Sequence, residues 1–159
     1  GSLAARLFER HPEANVYLER KKGASNDVPG DVSVHGRVVN LYSHFAPGRA
    51  LSGPDDDPDP EHEESFKELP PGRWDTAADR LVWFRQALEA LPAKLPAEAR
   101  DGGRVSLALQ AGTLEQGTAP WALYLREISE FAKANPHVRV VLYHEEEGLE
   151  RGPGERGGR

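Results

Sequence analysis

Hydrophobic residues recur at helical spacing most clearly between Asp75 and Leu91. They fall on one stripe, at intervals of three or four residues, formed by Leu81, Phe84, Leu88 and Leu91. Asp75 is the expected N-cap, because its carboxylate can accept a hydrogen bond from an amide of the first turn. Pro92 is expected to end the helix. Arg80 and Arg85 are expected on its solvated side, as ordinary surface charges.

Two further segments show a helical pattern. Trp121–Ala134 carries its apolar residues on one side, which predicts an amphipathic helix. The N-terminal segment Leu3–Lys22 begins with apolar residues on one helix face, but Pro12 predicts a break near His11. Helix and strand both remain open for Glu13–Arg20, since strand-forming residues lie at its centre.

Short apolar runs between these helices predict β-strands. Val32–Val34 and Arg37–Tyr42 lie on either side of Gly36 and indicate two strands or a hairpin. Val105–Leu109 and Val138–Tyr143 are the two remaining strands. Because strands alternate with helices, the sequence predicts an α/β sandwich with a largely parallel central sheet.

The sequence predicts one domain, residues 1–143. It is followed by a C-terminal tail, residues 144–159, which is rich in Gly, Glu and Arg and is expected to be flexible.

Residues 46–73 are proline-rich, and their acidic run 55–64 carries seven Asp or Glu and no Lys or Arg. A long irregular stretch of this kind is disordered or functional. A loosely held insertion is the favoured interpretation, and an acidic lid or partner-binding segment is the alternative.

Composition and charge narrow the classes of partner. A net charge of −6 argues against duplex nucleic acid, although most of the excess lies in the acidic run, so an anionic small ligand stays open. No apolar run reaches the roughly 20 residues of a membrane span. The chain contains no cysteine, which excludes disulfides, thiolate metal sites and cysteine nucleophiles. The compartment is undetermined, with an intracellular location in cytoplasm or nucleus favoured.

The stretch Val105–Trp121 is the best candidate for a ligand site. A buried strand leads there into a loop that contains Gly112 and Gly117, and then into the N-terminus of a helix. Glycines let main-chain amides approach a ligand, and the helix end adds partial positive charge, so this arrangement suits an anion. The crossover rule for parallel sheets predicts a crevice where residues 43–49 and 110–120 meet.

Other chemistry is weakly signalled. The chain has six histidines, His11, His35, His44, His62, His137 and His144. No two of them have the spacing of a metal site, so no metal is expected. No cofactor is expected either. The nucleophile-elbow, Walker A and dinucleotide-binding glycine motifs do not occur in the sequence. His44 alone lies near the predicted crevice, and a surface histidine is its default interpretation.

Four sequence blocks occur in a familiar order: RVVNLYSHFAPGRA, DTAADRLVWFRQALEAL, VSLALQAGTLEQGTAPW and EISEFAKANPHVRVVLY. Together they resemble the macro domain family, in particular the branch with the ADP-ribose-1″-phosphate phosphatases and the terminal ADP-ribose protein glycohydrolase. The opening GSLAARLFERHPEANVYLERKK and the run Pro29-Gly30-Asp31-Val32 match as well, so the resemblance covers roughly residues 1–143. It implies a three-layer α/β/α macro-like fold with a mostly parallel central sheet.

The sequence departs from the family pattern in two places. The family has two strands before the N-terminal helix, and the resemblance implies that these lie upstream of Gly1 or are absent. The phosphate loop is also reduced to Gly112 and Gly117, and Pro120 stands where the phosphatase branch has an aspartate before the tryptophan. Side chains at positions 113–116 then make tight phosphate binding less favourable.

The resemblance implies roles for several residues. Gly112, Thr113 and Gly117 would offer main-chain donors to phosphate, and Glu115 is the one plausible catalytic acid on the loop. A carboxylate repels a bound diphosphate, so a solvated loop residue is the favoured interpretation of Glu115. The further candidates for ligand contact are Asn40, His44 and Trp121, each with a structural or surface role as the alternative.

Two functions remain open. The first is binding of ADP-ribose, a related nucleotide or an ADP-ribosylated protein, with or without weak hydrolase activity on ADP-ribosyl or ADP-ribose phosphate linkages. The second is a catalytically inactive, degenerate macro domain that serves protein interaction or scaffolding through the acidic segment. Neither involves duplex nucleic acid or a membrane.

Overall fold

The computed structural model describes residues 3–16, 28–45, 48–57, 69, 72–97, 103–111 and 119–143. In chain order its elements are α1 (Leu3–Arg10), a 3-10 turn (Pro12–Ala14), β1 (Val32–His35), β2 (Val38–Leu41), α2 (Ala77–Lys94), β3 (Val105–Gln110), α3 (Trp121–Ala134) and β4 (Val138–Tyr143). The chain is therefore a mixed α/β protein, as its patterning predicts. None of the helices in these ranges has the length and hydrophobicity to cross a membrane.

The two N-terminal strands form an antiparallel hairpin. β1 and β2 pair from Val32 with Leu41 to His35 with Val38, which leaves Gly36 and Arg37 as a two-residue turn. Gly36 has φ of 56°, a conformation that tight hairpin turns need and that glycine adopts without steric cost. Of the alternatives left open by the sequence, the hairpin is the one the chain forms.

The two C-terminal strands are parallel. β3 and β4 pair in one continuous register, from Val105 with Val138 to Gln110 with Tyr143. Parallel neighbours need a crossover connection, and α3 provides it between them. Sequence patterning places α3 and β4 at their observed bounds, and it ends β3 one residue early, at Leu109.

The described strands form two separate two-stranded sheets, β1–β2 and β3–β4. This differs from the single, mostly parallel central sheet that the sequence predicts. The hydrophobic pattern identifies which segments are extended, but it does not encode which strand edges meet. Helix α2 packs against the hairpin and against α3, and α3 packs against β4, so the two helices bridge the sheets.

The core lies between α2, α3 and the inner faces of both sheets. Its buried members include Val32, Phe84, Leu88, Leu107, Tyr124, Ile128, Phe131 and Val138. The rings of Phe84 and Tyr124 meet edge to face, with centroids 5.1 Å apart and planes at 69°. This geometry is favourable for aromatic pairs and fixes α2 against α3.

Helix α2 begins one residue later than the sequence predicts. Thr76, and not Asp75, is its N-cap: the Thr76 hydroxyl accepts a hydrogen bond from the Asp79 amide, and the Asp79 carboxylate accepts one from the Thr76 amide. Burial acts to raise the pKa of Asp79, but hydrogen bonds, led by that from Arg73, lower it below its usual range. Asp79 therefore stays ionised and keeps this capping box closed at neutral pH.

We expect Thr76→Ala to destabilise the protein by about 1 kcal/mol, because an amide of the first turn loses its acceptor. Thr76→Ser keeps a hydroxyl at the same position and should cost much less. The free energy of unfolding in urea measures both changes. Equal losses in the two variants would show that the threonine methyl group matters and the cap does not.

Pro92 does not end α2, contrary to the sequence prediction. The helix runs to Lys94, and the Leu95 amide still donates to the Leu91 carbonyl at 3.2 Å. Proline lacks an amide and costs stability inside a helix. Leu91 and Leu95 are both buried, so the hydrophobic contacts of this last turn offset the loss.

The N-terminal break falls where the sequence places it. α1 ends at Arg10, and the 3-10 turn follows directly after His11. Within Glu13–Arg20, residues up to 16 are described and contain the end of this turn, and residues 17–20 lie outside the description. The alternative of helix or strand for those residues stays open.

Part of the stretch 46–73 is anchored to the domain, although the sequence predicts a loosely held insertion. Leu51 is buried, its amide donates to the Asp75 carbonyl at 3.1 Å, and it forms a parallel bridge with Thr76. Arg49 holds Asp56 through two hydrogen bonds of 2.6 and 2.9 Å. Residues 58–64 of the acidic run and the tail 144–159 fall outside the described residues.

Candidate functional site

A buried ion pair lies at the N-terminus of α2. Arg80 donates from Nε to Asp75 Oδ1 at 2.8 Å and from Nη2 to Asp75 Oδ2 at 2.7 Å. The two side chains are 1% and 0% exposed. A guanidinium and a carboxylate joined by two parallel hydrogen bonds form the strongest kind of side-chain pair in proteins, and here it is shielded from water.

The same pair holds the segment that follows β2. Arg80 also donates to the carbonyls of Gly48, at 2.8 Å, and Arg49, at 3.1 Å. Asp75 Oδ1 accepts from the Phe45 amide at 3.3 Å. The ion pair thus fixes the described ends of the 43–49 segment against α2, and this is one of the two segments that the sequence assigns to the crevice.

Two sequence predictions are wrong here. Arg80 is not a solvated charge, unlike Arg85, whose side chain is half exposed. Asp75 is not the N-cap but the partner of Arg80, and it adopts φ of 53°, a left-handed conformation that aspartate tolerates better than most residues. A signal was present in the sequence, because Arg80 lies four residues before Phe84 and thus on the apolar face.

His44 lies beside this ion pair. Its Nδ1 and the Ser43 Oγ are hydrogen-bonded at 3.0 Å, and Ser43 is buried. Desolvation by the surrounding protein and, second, the charge of Arg80 lower the pKa of His44, while Asp75 acts to raise it. The residue still keeps an exposed part, so at neutral pH it presents a neutral imidazole at the surface.

Asn40 is engaged inside the fold. Its Nδ2 donates to the Ala14 carbonyl at 3.0 Å and, at 3.5 Å, to the Ser33 hydroxyl. These bonds join β2 to the 3-10 turn after α1 and to the neighbouring strand. This is the structural role that the sequence offers as the alternative to ligand contact.

The N-terminus of α3 is the helix end that the sequence assigns to the anion site. Its N-cap is Pro120, which has no side-chain acceptor for the amides of the first turn. Trp121 is half-buried and packs against the hydrophobic core, as expected of a residue that fixes the helix to the sheet. The four loop candidates, Gly112, Thr113, Glu115 and Gly117, lie outside the described residues. Whether the loop reaches the 43–49 segment thus stays a prediction.

No family model, no curated protein and no solved structure matches this chain. The resemblance to macro domains therefore stays a prediction from the sequence blocks. Across the described ranges, no group of three or more potential ligands is placed to hold a metal ion.

A second feature was not anticipated from the sequence. A groove of about 670 Å³ runs between the two sheets and is lined by all six residues of β3 and three of the four residues of β2. We call it the intersheet groove. Leu7, Leu95 and Pro96 also contribute to its walls. None of the three described candidates, Asn40, His44 and Trp121, lines it.

Proposed function

We propose that this chain is a three-layer α/β/α macro-like domain that binds ADP-ribose or a related nucleotide between β3 and α3. Main-chain amides of Gly112, Thr113 and Gly117 would receive the diphosphate. Trp121 would border the ligand from the head of α3, and His44 would approach it from the segment after β2. Asn40 would support the strand beside the site and not the ligand.

The observation that carries this proposal is the unit formed by β3, α3 and β4. The β3 strand ends at Gln110, the parallel partner β4 lies beside it, and α3 begins at Trp121 after Pro120, which makes no side-chain cap hydrogen bond. Ligands of parallel sheets bind beyond the carboxyl ends of the strands, and a helix N-terminus favours negative charge. A diphosphate is the ligand chemistry that satisfies both conditions.

Hydrolysis would depend on Glu115, the one acid of the loop. As a general base it would direct water at an ADP-ribosyl or terminal phosphate linkage. The same carboxylate repels the diphosphate that must bind beside it, which limits both affinity and rate. Any activity is therefore expected to be weak and to require no metal or cofactor.

Gly112→Val is expected to weaken ADP-ribose binding at least about tenfold, because a branched side chain blocks the approach of the backbone to the diphosphate. Gly53→Val is the matched control, since a Cβ at Gly53 meets no atom within 4 Å. Titration calorimetry with ADP-ribose, AMP and ribose 5-phosphate measures the change. Equal affinity for ADP-ribose in both variants would overturn the assignment of the loop.

One observation favours the second candidate function, an inactive interaction module. Arg80 is fully engaged by Asp75 and by two carbonyls, so this cation does not serve a phosphate. Asp55 and Asp57 are exposed at the start of the acidic run, where a partner could reach them. This function predicts no heat with millimolar ADP-ribose, and loss of a captured partner when residues 54–68 are deleted.

A further inference from the structure

The hairpin presents one side-chain face to the intersheet groove. Val34 and Val39 are direct cross-strand partners, and Leu41 follows on the same face. Asn40, which lies between Val39 and Leu41 in the chain, is not part of this wall. The amides and carbonyls of a strand lie in the plane of its sheet, whereas the side chains stand out from it. A ligand on this wall therefore contacts hydrocarbon, and not main-chain hydrogen-bonding groups.

The opposite wall is also mostly apolar. Strand β3 contributes four aliphatic side chains, Val105, Leu107, Ala108 and Leu109. A polar ligand between two such walls would lose hydrogen bonds to water without replacing them, which costs free energy. A hydrocarbon loses none, and its removal from water is favourable. The walls therefore favour a ligand whose body is a hydrocarbon.

The groove extends along the whole of β3. All six residues Val105–Gln110 line it, and five steps of about 3.3 Å give a length of about 16 Å. An extended alkyl chain advances about 1.25 Å per carbon, so about twelve to fourteen carbons span this length. The volume of about 670 Å³ lies in the usual range of small-molecule sites.

One charged side chain lies on the described part of the wall. It is Arg37, in the hairpin turn, and it is exposed. No hydrogen bond or ion pair with the described residues engages its guanidinium. A guanidinium pairs with a carboxylate through two parallel hydrogen bonds. The charge of Arg37 therefore favours an anionic head group on the hydrocarbon and disfavours a cationic one.

We propose that the intersheet groove binds a long-chain aliphatic carboxylate, a fatty acid of about twelve to fourteen carbons. Its chain lies along β3 against the hairpin face, and its carboxylate pairs with the guanidinium of Arg37. The aliphatic walls supply affinity, and Arg37 selects the head group. This inference is independent of nucleotide binding, because it uses neither the loop 112–118 nor the N-terminus of α3.

The test is a titration of the full chain with octanoate, decanoate, dodecanoate and tetradecanoate, each below its micelle concentration. Calorimetry gives the affinities, and NMR of the methyl groups locates the contact. We expect affinity to rise about fourfold for each added methylene, and to level off once the chain exceeds the groove. The methyl signals of Val34, Val39 and Leu41 should shift. Dodecyltrimethylammonium, which has the same chain and a positive head, should bind more weakly than dodecanoate.

Charge reversal tests the role of Arg37. Arg37→Glu should reverse the order of affinity, so that dodecyltrimethylammonium binds more tightly than dodecanoate. Removal of the charge alone, in Arg37→Gln, should weaken dodecanoate binding about two- to fivefold, the effect of an exposed ion pair. Arg85→Glu is the matched control, because it changes the net charge equally at a half-exposed arginine outside the groove. Its order of affinity should stay that of the unmodified protein.

Filling the groove tests the role of the walls. Ala108 is exposed and lines the groove, so Ala108→Trp places a large ring there without disturbing the core. We expect this variant to lose dodecanoate binding and to keep its circular dichroism spectrum. Ala108→Ser leaves the groove open and should retain binding. Undiminished binding in Ala108→Trp would contradict the proposal.

Three further results would overturn it. The first is the absence of methyl shifts with dodecanoate near its micelle concentration. The second is equal affinity for dodecanoate and dodecyltrimethylammonium, which would mean that Arg37 selects nothing. The third is the finding that the free protein already fills the groove. Contacts of the Leu41 methyls with residues outside the described ranges would identify its own chain as the occupant, and shifts that depend on protein concentration would identify a second copy.

Discussion

Arg80→Met is expected to destabilise the protein by about 3–5 kcal/mol, because it leaves the buried Asp75 carboxylate without a compensating charge. The substitution also removes the hydrogen bonds that Arg80 donates to the carbonyls of Gly48 and Arg49. The free energy of unfolding in urea, followed by circular dichroism, measures the loss. Asp75→Asn should cost a similar amount, since asparagine tolerates the left-handed backbone but cannot neutralise the guanidinium.

The matched control is Arg85→Met on the same helix. The Arg85 side chain is half exposed, and its Nε lies 4.0 Å from Glu89 Oε1, so its removal should cost no more than about 1 kcal/mol. The double variant with Asp75→Asn and Arg80→Met should lose less than the sum of the two single changes, because the residues act as a pair. Equal costs for Arg80→Met and Arg85→Met would mean that Arg80 is solvated after all.

Phe84→Ala is expected to cost about 3–5 kcal/mol, the range for loss of a fully buried aromatic ring. Phe84 is 0% exposed, and its ring meets Tyr124 edge to face between α2 and α3. The substitution removes this contact and leaves a cavity that both helices would have to close. Thermal and urea unfolding should both show the loss.

Trp74→Ala is the control for Phe84→Ala. It also truncates an aromatic residue, but Trp74 is 44% exposed and contributes its backbone amide, not its ring, to the Asp79 cap. We expect a cost below about 1 kcal/mol. A loss as large as that of Phe84→Ala would place the main hydrophobic contacts of α2 at its N-terminal end.

The bounds of several elements could be predicted from local pattern alone. The bounds of α3 and β4 are predicted correctly because apolar residues recur at helical spacing in α3 and dominate β4, and the turn Asn135-Pro136 separates the two elements. The predicted end of α2 at Pro92 is wrong. Proline lacks the amide of a helix hydrogen bond, but burial of Leu91 and Leu95 stabilises the last turn enough to offset that loss. Whether these two side chains are buried depends on what the helix packs against, and the local sequence does not give that information.

The ion pair of Asp75 and Arg80 also could not be predicted from local sequence. Helical periodicity places Arg80 on the apolar face of α2, but an arginine there is acceptable only with a buried partner. Its acceptors come from Asp75 and from carbonyls about thirty residues earlier in the chain. The periodicity is visible in the sequence, and the partners are known only once the chain is folded.

The intersheet groove could not be predicted either. The sequence pattern of a strand is the same whether one or both of its edges are paired, because pairing uses main-chain atoms that all residues share. For this reason the sequence predicts a single central sheet, and not the two sheets that the described strands form. The loop 112–118 is the opposite case, because its residue types suggest a ligand site from sequence but the loop lies outside the described part of the chain.

The register of β3 with β4 has a consequence for biosynthesis. Val105 pairs with Val138, thirty-three residues further on, whereas the hairpin β1–β2 closes across two residues. During synthesis the hairpin can form as soon as β2 is translated. The strand β3 cannot pair with β4 until α3 and β4 have been translated as well. Nascent chains that stall between these points would be the most aggregation-prone, and chaperones would be needed there first.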